Sequence, residues 1–182
     1  MSKIIAFYVS ARKKGCSHQL IDQVVAGAKS EGAEVITYDL NDGINGCQGC
    51  MSCRTHEGCA QKDNLASFFR EYPDADGFVV GFPIYFGNLS GQGKIWLDRM
   101  YPLLAADISP RYPGKKCVTV YAQGSPDPDA YKAAIDANNG FIKMFGVDLI
   151  DSIQSCGSTD PGYQMPQELL DRAFEAGKRM VG

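Results

Sequence analysis

No run of apolar residues in the 182-residue sequence approaches the length needed to cross a bilayer, which excludes a transmembrane helix. Nor does the chain carry a block of like charges. Its 18 Lys and Arg are set against 21 Asp and Glu, a net charge of −3, so it offers no electrostatic footprint for nucleic acid or an anionic membrane. A small molecule or another protein is the expected partner. Internal repeats, low-complexity tracts and linkers are lacking too, and the length suits one domain over residues 1–182 that buries a core without disulfide help. Met1 to Lys3 leads straight into a strand-like run without the features of a signal peptide, so the expected compartment is the cytoplasm. In that reducing setting seven cysteines, an odd number, do not read as a disulfide framework.

Four familiar catalytic or nucleotide patterns are missing as well. There is no G-x-G-x-x-G, which disfavours a dinucleotide, and no G-x4-G-K-[ST], which disfavours a nucleoside triphosphate. Neither a Ser-His-Asp order nor a paired-carboxylate constellation stands out, so no catalytic side chain is assigned and the chemistry is expected to reside in a cofactor.

What the chain does have is a dense cysteine cluster. Cys47, Cys50, Cys53 and Cys59 form C-x2-C-x2-C-x5-C in a loop spanning 46–60. Thiolates are soft anionic ligands, and three at i, i+3 and i+6 on a tight loop can converge on one centre. Gly46, Gly49 and Gly58 supply backbone freedom there. No second C-x2-C or His pair follows, so zinc fits less well than an iron-sulfur cluster; a four-thiolate zinc site and free redox thiols remain alternatives. His56 reads as an exposed loop residue, His18 as a helix-start residue, and Cys117 and Cys156 as small core residues.

Short apolar runs alternate with segments of helical period, the pattern of a parallel sheet covered on both faces. Five strands are expected at Lys3–Val9, Glu34–Leu40, Gly77–Gly81, Lys116–Ala122 and Val147–Gln154. Helices are expected from near Ser17 to Gly32, over Asn64–Tyr72, from a Ser90 N-cap to Tyr101, around Tyr131–Phe145 and over Gln167–Met180. This is a doubly wound α/β sheet, whose ligand crevice lies beyond the carboxyl ends of its strands. The loop after the first strand, S-A-R-K-K-G-C-S from Ser10 to Ser17, offers hydroxyls, basic residues and a helix N-terminus suited to phosphate. The loop after the third, G-F-P-I-Y-F-G-N, puts flat aromatic groups at the switch point. Taken alone, Tyr85 and Phe86 read equally well as core aromatics.

Together these segments resemble the flavodoxin-like NAD(P)H-dependent FMN reductases, and within them the iron-sulfur flavoprotein branch. The resemblance covers almost the whole chain. It implies a three-layer α/β/α fold with a five-stranded parallel sheet in the order 2-1-3-4-5. FMN phosphate contacts are implied from Ser10, Arg12, Gly15, Cys16 and Ser17, with Ala11, Cys16 and Ser17 departing from the family's usual Pro, Asn and Thr. Flavin-ring contacts are implied from Pro83, Ile84, Tyr85, Phe86, Gly87 and Asn88, and from Gln123, Gly124 and Ser125 near the isoalloxazine edge. Cys47, Cys50, Cys53 and Cys59 match the branch's 4Fe-4S motif, although only Asp63 preserves the acidic run that often follows. The implied protein is an FMN-dependent electron-transfer oxidoreductase with a ferredoxin-type or NAD(P)H donor, assembled as a homodimer or homotetramer. Alternatives are an NAD(P)H-dependent FMN or quinone reductase without a cluster, and a metal-binding or thiol-sensing module without flavin.

Overall fold

Side chains along β1 (Lys3–Tyr8) alternate between two cores: Ile4 and Ala6 face one, Ile5 and Phe7 the other, and all four are fully buried. A strand of this kind needs cover on both faces. The computed structural model describes residues 1–181 and supplies that cover. The strand is followed by α1 (Cys16–Ser30), β2 (Glu34–Asp39), α2 (Phe68–Glu71), β3 (Gly77–Tyr85) and β4 (Asn88–Leu89). Then come α3 (Gly91–Arg99), β5 (Lys116–Ala122), α4 (Lys132–Lys143), β6 (Asp148–Ser155) and α5 (Gln167–Arg179). The sheet runs β2-β1-β3-β5-β6 with every neighbour parallel, which is the flavodoxin-like order. Among the described residues no helix is long and apolar enough to cross a membrane.

The sheet departs from the five expected strands at one place. A sixth, the two-residue β4, folds back antiparallel on the end of β3. β3 itself runs four residues past the expected Gly81, because Phe82 and Pro83 continue the ladder opposite Tyr121 and Ala122 of β5. Pro83 has no N–H to give, but its carbonyl accepts from Ser90 N at 3.2 Å. α2 is shorter than the expected Asn64–Tyr72. Asn64 is drawn away to the Asp42 carbonyl at 2.7 Å, Asp63 Oδ1 takes the Leu65 amide at 3.2 Å, and Pro73 turns the far end into a 3-10 turn, Tyr72–Asp74. Ser90 is the N-cap of α3 as expected, its hydroxyl accepting from Gly93 N at 3.3 Å.

The two faces differ in character. One is aromatic: the Phe7 ring lies 5.0 Å from Phe68 and 5.3 Å from Trp96 of α3, and Phe82 lies 5.6 Å from the same indole, all edge-on. The other is aliphatic and is covered by α1 and α5 through Leu20, Ile21, Val24, Ala173, Ala176 and Met180. These two helices touch backbone to backbone. A Cβ on Gly27 would sit 1.9 Å from the Phe174 carbonyl oxygen, and one on Gly177 would sit 2.0 Å from that of Val24. Gly177→Ala must therefore push the helices apart. We expect a loss of about 3 kcal/mol in urea denaturation; a change within about 0.5 kcal/mol would mean that the pair separates freely.

Candidate functional site

β1, β3 and β5 open their carboxyl ends onto a cleft of about 290 Å³. The loop after β1 supplies Ser10, Arg12, Gly15, Cys16 and Ser17, the end of β3 supplies Pro83, Ile84, Tyr85 and Phe86, and the turn after β5 supplies Gly124 and Ser125. The first loop is closed by its own hydrogen bonds, Ser10 Oγ accepting from Arg12 N at 3.2 Å and Arg12 O accepting from Gly15 N at 2.8 Å. α1 then begins with no side-chain cap, so neighbouring side chains leave its first-turn amides and positive dipole end available at the cleft wall. With Ser10 and Ser17 buried beside it and Arg12 exposed above, this is an anion cradle suited to the phosphate of FMN.

Tyr85 and Phe86 are not core residues: Tyr85 is 47% exposed and Phe86 is wholly exposed. Phe86 also has φ of 49°, a left-handed conformation that costs a bulky residue of order 1–3 kcal/mol. The fold thus holds a planar apolar group out at the cleft rim against both strain and hydration. Three of the expected contacts lie elsewhere. Gly87 sits beside the Tyr131 ring, and Asn88 Oδ1 is occupied by Leu89 N at 2.8 Å and Asn138 Nδ2 at 3.3 Å. Gln123 is fully buried, donating to the carbonyls of Ser125 and Asp127 and accepting from Gln154 at 2.7 Å. Its own carbonyl takes Ser158 Oγ at 2.8 Å, so Gln123 stitches the turn after β5 to the turn after β6. That stitch brings Ser158 and Thr159 to the cleft wall, where Tyr131 joins them. No local motif marks these three in the sequence; the signal for Ser158 and Thr159 is that the last strand also ends at the crevice edge.

The four clustered cysteines share one small cavity of about 40 Å³ with Asp98, Arg99, Tyr101 and Pro102. Cys47 and Cys50 are exposed, Cys53 and Cys59 half-buried, and all are free thiols. Burial pushes the Cys53 thiol pKa up, opposed by a backbone hydrogen bond and reinforced by the charges of Cys59, Cys47 and Cys50. Gly49 and Gly58 take positive φ in this loop, whereas Gly46 does not. Among the described residues, no three His, Cys, Asp or Glu side chains are drawn tightly enough together to hold a single metal ion. The donor set nonetheless fits a cluster in chemistry, since four soft ligands open onto one cavity. His56 is exposed and Cys117 fully buried, as expected; Cys156 is only half-buried. His18 is buried against the edge of Tyr8 at 4.9 Å.

Arginines fasten the loop. Arg111 Nη2 donates to the Cys53 carbonyl at 3.2 Å, and Arg54 reaches the carbonyls of Ala105 and Ala106 while lying over the Tyr101 ring. Arg99 grips Asp63 with both terminal nitrogens at 2.6 and 3.0 Å and adds the Asn45 carbonyl at 2.7 Å. Both side chains of that pair are almost wholly excluded from water. Burial by itself would raise the Asp63 pKa; the Arg99 guanidinium and the Asn45 and Leu65 amides outweigh it and hold the carboxyl below its ordinary value.

Residues 2–137 match the family described as NADPH-dependent FMN reductase. The chain belongs to that family. A protein of Archaeoglobus fulgidus named iron-sulfur flavoprotein is 29% identical over 181 residues, covering 98% of this chain and 79% of its own. One of the same description from Methanocaldococcus jannaschii is 32% identical over 102 residues, 56% of this chain and 53% of its own. The match thus spans about half the length of that relative. Among solved structures, the NAD(P)H:quinone oxidoreductase from Methanothermobacter marburgensis superposes with a TM-score of 0.74 at 18% identity over 98% of both chains, a likeness of fold.

Removing one member of the buried ion pair strands the other. We expect Asp63→Ala to cost about 3–5 kcal/mol at pH 7, read by denaturant unfolding. The contribution of the Asp63 carboxylate is present above its unfolded value of about 3.9 and is lost as pH falls through its lowered folded value, so the penalty should shrink in acid. A pH-independent penalty would contradict the ion-pair account.

Proposed function

We propose that the chain, as a single flavodoxin-like domain, is an FMN-dependent oxidoreductase working as an electron-transfer iron-sulfur flavoprotein. The observation that supports this reading is that one chain carries both an uncapped α1 N-terminus beside an aromatic rim and a cavity lined by four thiols. When bound, FMN exchanges electrons in pairs or singly, while a 4Fe-4S cluster exchanges one at a time. Ser10, Ser17, Arg12 and the amides of Cys16 and Ser17, which follow the Gly15 turn, hold the flavin phosphate by charge and hydrogen bonding. Tyr85 and Phe86, with Pro83 and Ile84 beneath, offer flat apolar surface to the ring and keep water from it. Gly124 and Ser125 approach from the β5 side. Cys47, Cys50, Cys53 and Cys59 supply the cluster thiolates.

The exposure of Cys47 and Cys50 suits electron exchange with an outside donor, either a ferredoxin-type protein or a reduced nicotinamide. Beside Cys47 runs an apolar groove of about 550 Å³ that includes Tyr101, Ile108, Phe141 and Met144. A surface of this kind next to a redox centre supports assembly as a homodimer or homotetramer. Seven free thiols are in keeping with a cytoplasmic setting.

Anaerobic purification followed by iron, sulfide and FMN analysis is the direct test. About four iron, four sulfide and one FMN per chain are expected. FMN without iron would favour a reductase of flavins or quinones lacking a cluster, and neither cofactor would leave a thiol-bearing module. Cys53→Ala should abolish iron binding and leave FMN in place; normal iron content would defeat the four-ligand assignment. Tyr85→Ala should weaken FMN binding by about 1–2 kcal/mol, roughly tenfold in Kd, with iron unchanged. An unaltered flavin affinity would remove Tyr85 from the ring site.

A further inference from the structure

Arg99 is the one arginine or lysine among the described residues that is fully buried. Its terminal nitrogens are satisfied by Asp63 and Asn45, but its Nε is buried without a partner. A charged donor kept from water and left unpaired carries a larger penalty than a neutral group does, and the chain gains by giving it an acceptor. The acceptor at hand is sulfur. Arg99 and all four clustered cysteines line the same cavity, where a negative charge on the Cys59 sulfur favours the charged guanidinium.

We propose that Arg99 is a positioning residue for the cysteine site, its buried guanidinium donating to the Cys59 thiolate and setting the potential at which a cluster held there is reduced. This rests on the iron-sulfur reading above. Asp63 and Asn45 take three of the five guanidinium hydrogens, so Nε is the nitrogen left without a partner for the cavity. One-electron reduction adds a negative charge to the site. A fixed cation at the sulfurs favours that state, and hydrogen bonds to ligand sulfurs and net charge are established determinants of cluster potential. The same guanidinium also ties Cys59 to α3 and to the Asn45 end of the loop, so the fourth ligand is held relative to the other three.

The test is a potentiometric titration with dithionite as the electron source, followed in the visible spectrum, on anaerobically purified protein. Because Arg99→Gln alone strands Asp63, the comparison is between Asp63→Asn, in which the ion pair is already broken, and the double variant Asp63→Asn/Arg99→Gln. The double variant is expected to show a reduction equilibrium constant at least tenfold lower, a shift of about 59 mV to more negative potential for one electron. Arg99→Lys, which keeps the charge and loses the fork, should recover part of that shift. Failure of the double variant to take up iron, with four per chain in Asp63→Asn, would support the positioning half of the role. Equal iron and equal potentials in the two would overturn it. Wild-type protein without iron or sulfide would instead defeat the iron-sulfur reading itself, a result distinguishable before any variant is made.

Discussion

β3 lies between two parallel partners and between two helical layers, with eight of its nine residues buried, so its backbone has no water to fall back on. Each polar group must be met by β1 or β5, and the registers Ile4↔Gly77 to Tyr8↔Gly81 and Gly77↔Lys116 to Pro83↔Ala122 meet them over nearly the whole length. The ladder leaves the chain no freedom until Tyr85, where the strand surfaces. The turn to β4 must then be made in the two residues Phe86 and Gly87, both with positive φ. The exposed aromatic rim of the cleft is thus a mechanical result of the most rigid strand in the sheet. Strain at Phe86 persists because the ladder behind it over-determines the path.

The cysteine loop poses the opposite problem. It has no sheet behind it and little apolar side chain to bury, so order must come from polar contacts. The Arg99–Asp63 pair supplies them at the base, reaching from α3 into both flanks of the loop through Asp63 and the Asn45 carbonyl. A buried ion pair contributes little net stability compared with an apolar replacement. Its value here is directional: a guanidinium fork fixes distance and angle in a way that a leucine does not.

The regular parts of the fold are written locally, and therefore legibly. β1 and β3 are near-continuous apolar runs, and the Leu20, Ile21, Val24, Val25, Ala28 stripe announces the buried face of α1. The cysteine spacing and the Ser10–Ser17 loop were legible for the same reason, since each is complete within a few residues. What escaped depends on distant partners. Nothing near Asn64 signals that Asp42 will claim its side chain and delay α2. Gln123 looks like a loop donor until Gln154 and Ser158 arrive from another strand and turn it into a buried brace. Ser158, Thr159 and Tyr131 reach the cleft only through that brace and the packing of the α4 entry. Arg99 reads as one more surface charge on an amphipathic helix until the loop folds over it.

The glycine contact between α1 and α5 has a consequence for the order of events during folding. The phosphate cradle sits at the start of α1, yet the helix that clamps α1 to the sheet through Gly27 and Gly177 lies far downstream, after every strand. Such non-local closure is entropically late. While the chain is being synthesised, the cradle residues exist long before they are held still. The proposed flavin cradle would thus become rigid only in a chain whose sheet is already complete, and an arrested or truncated product would lack the helix that clamps it.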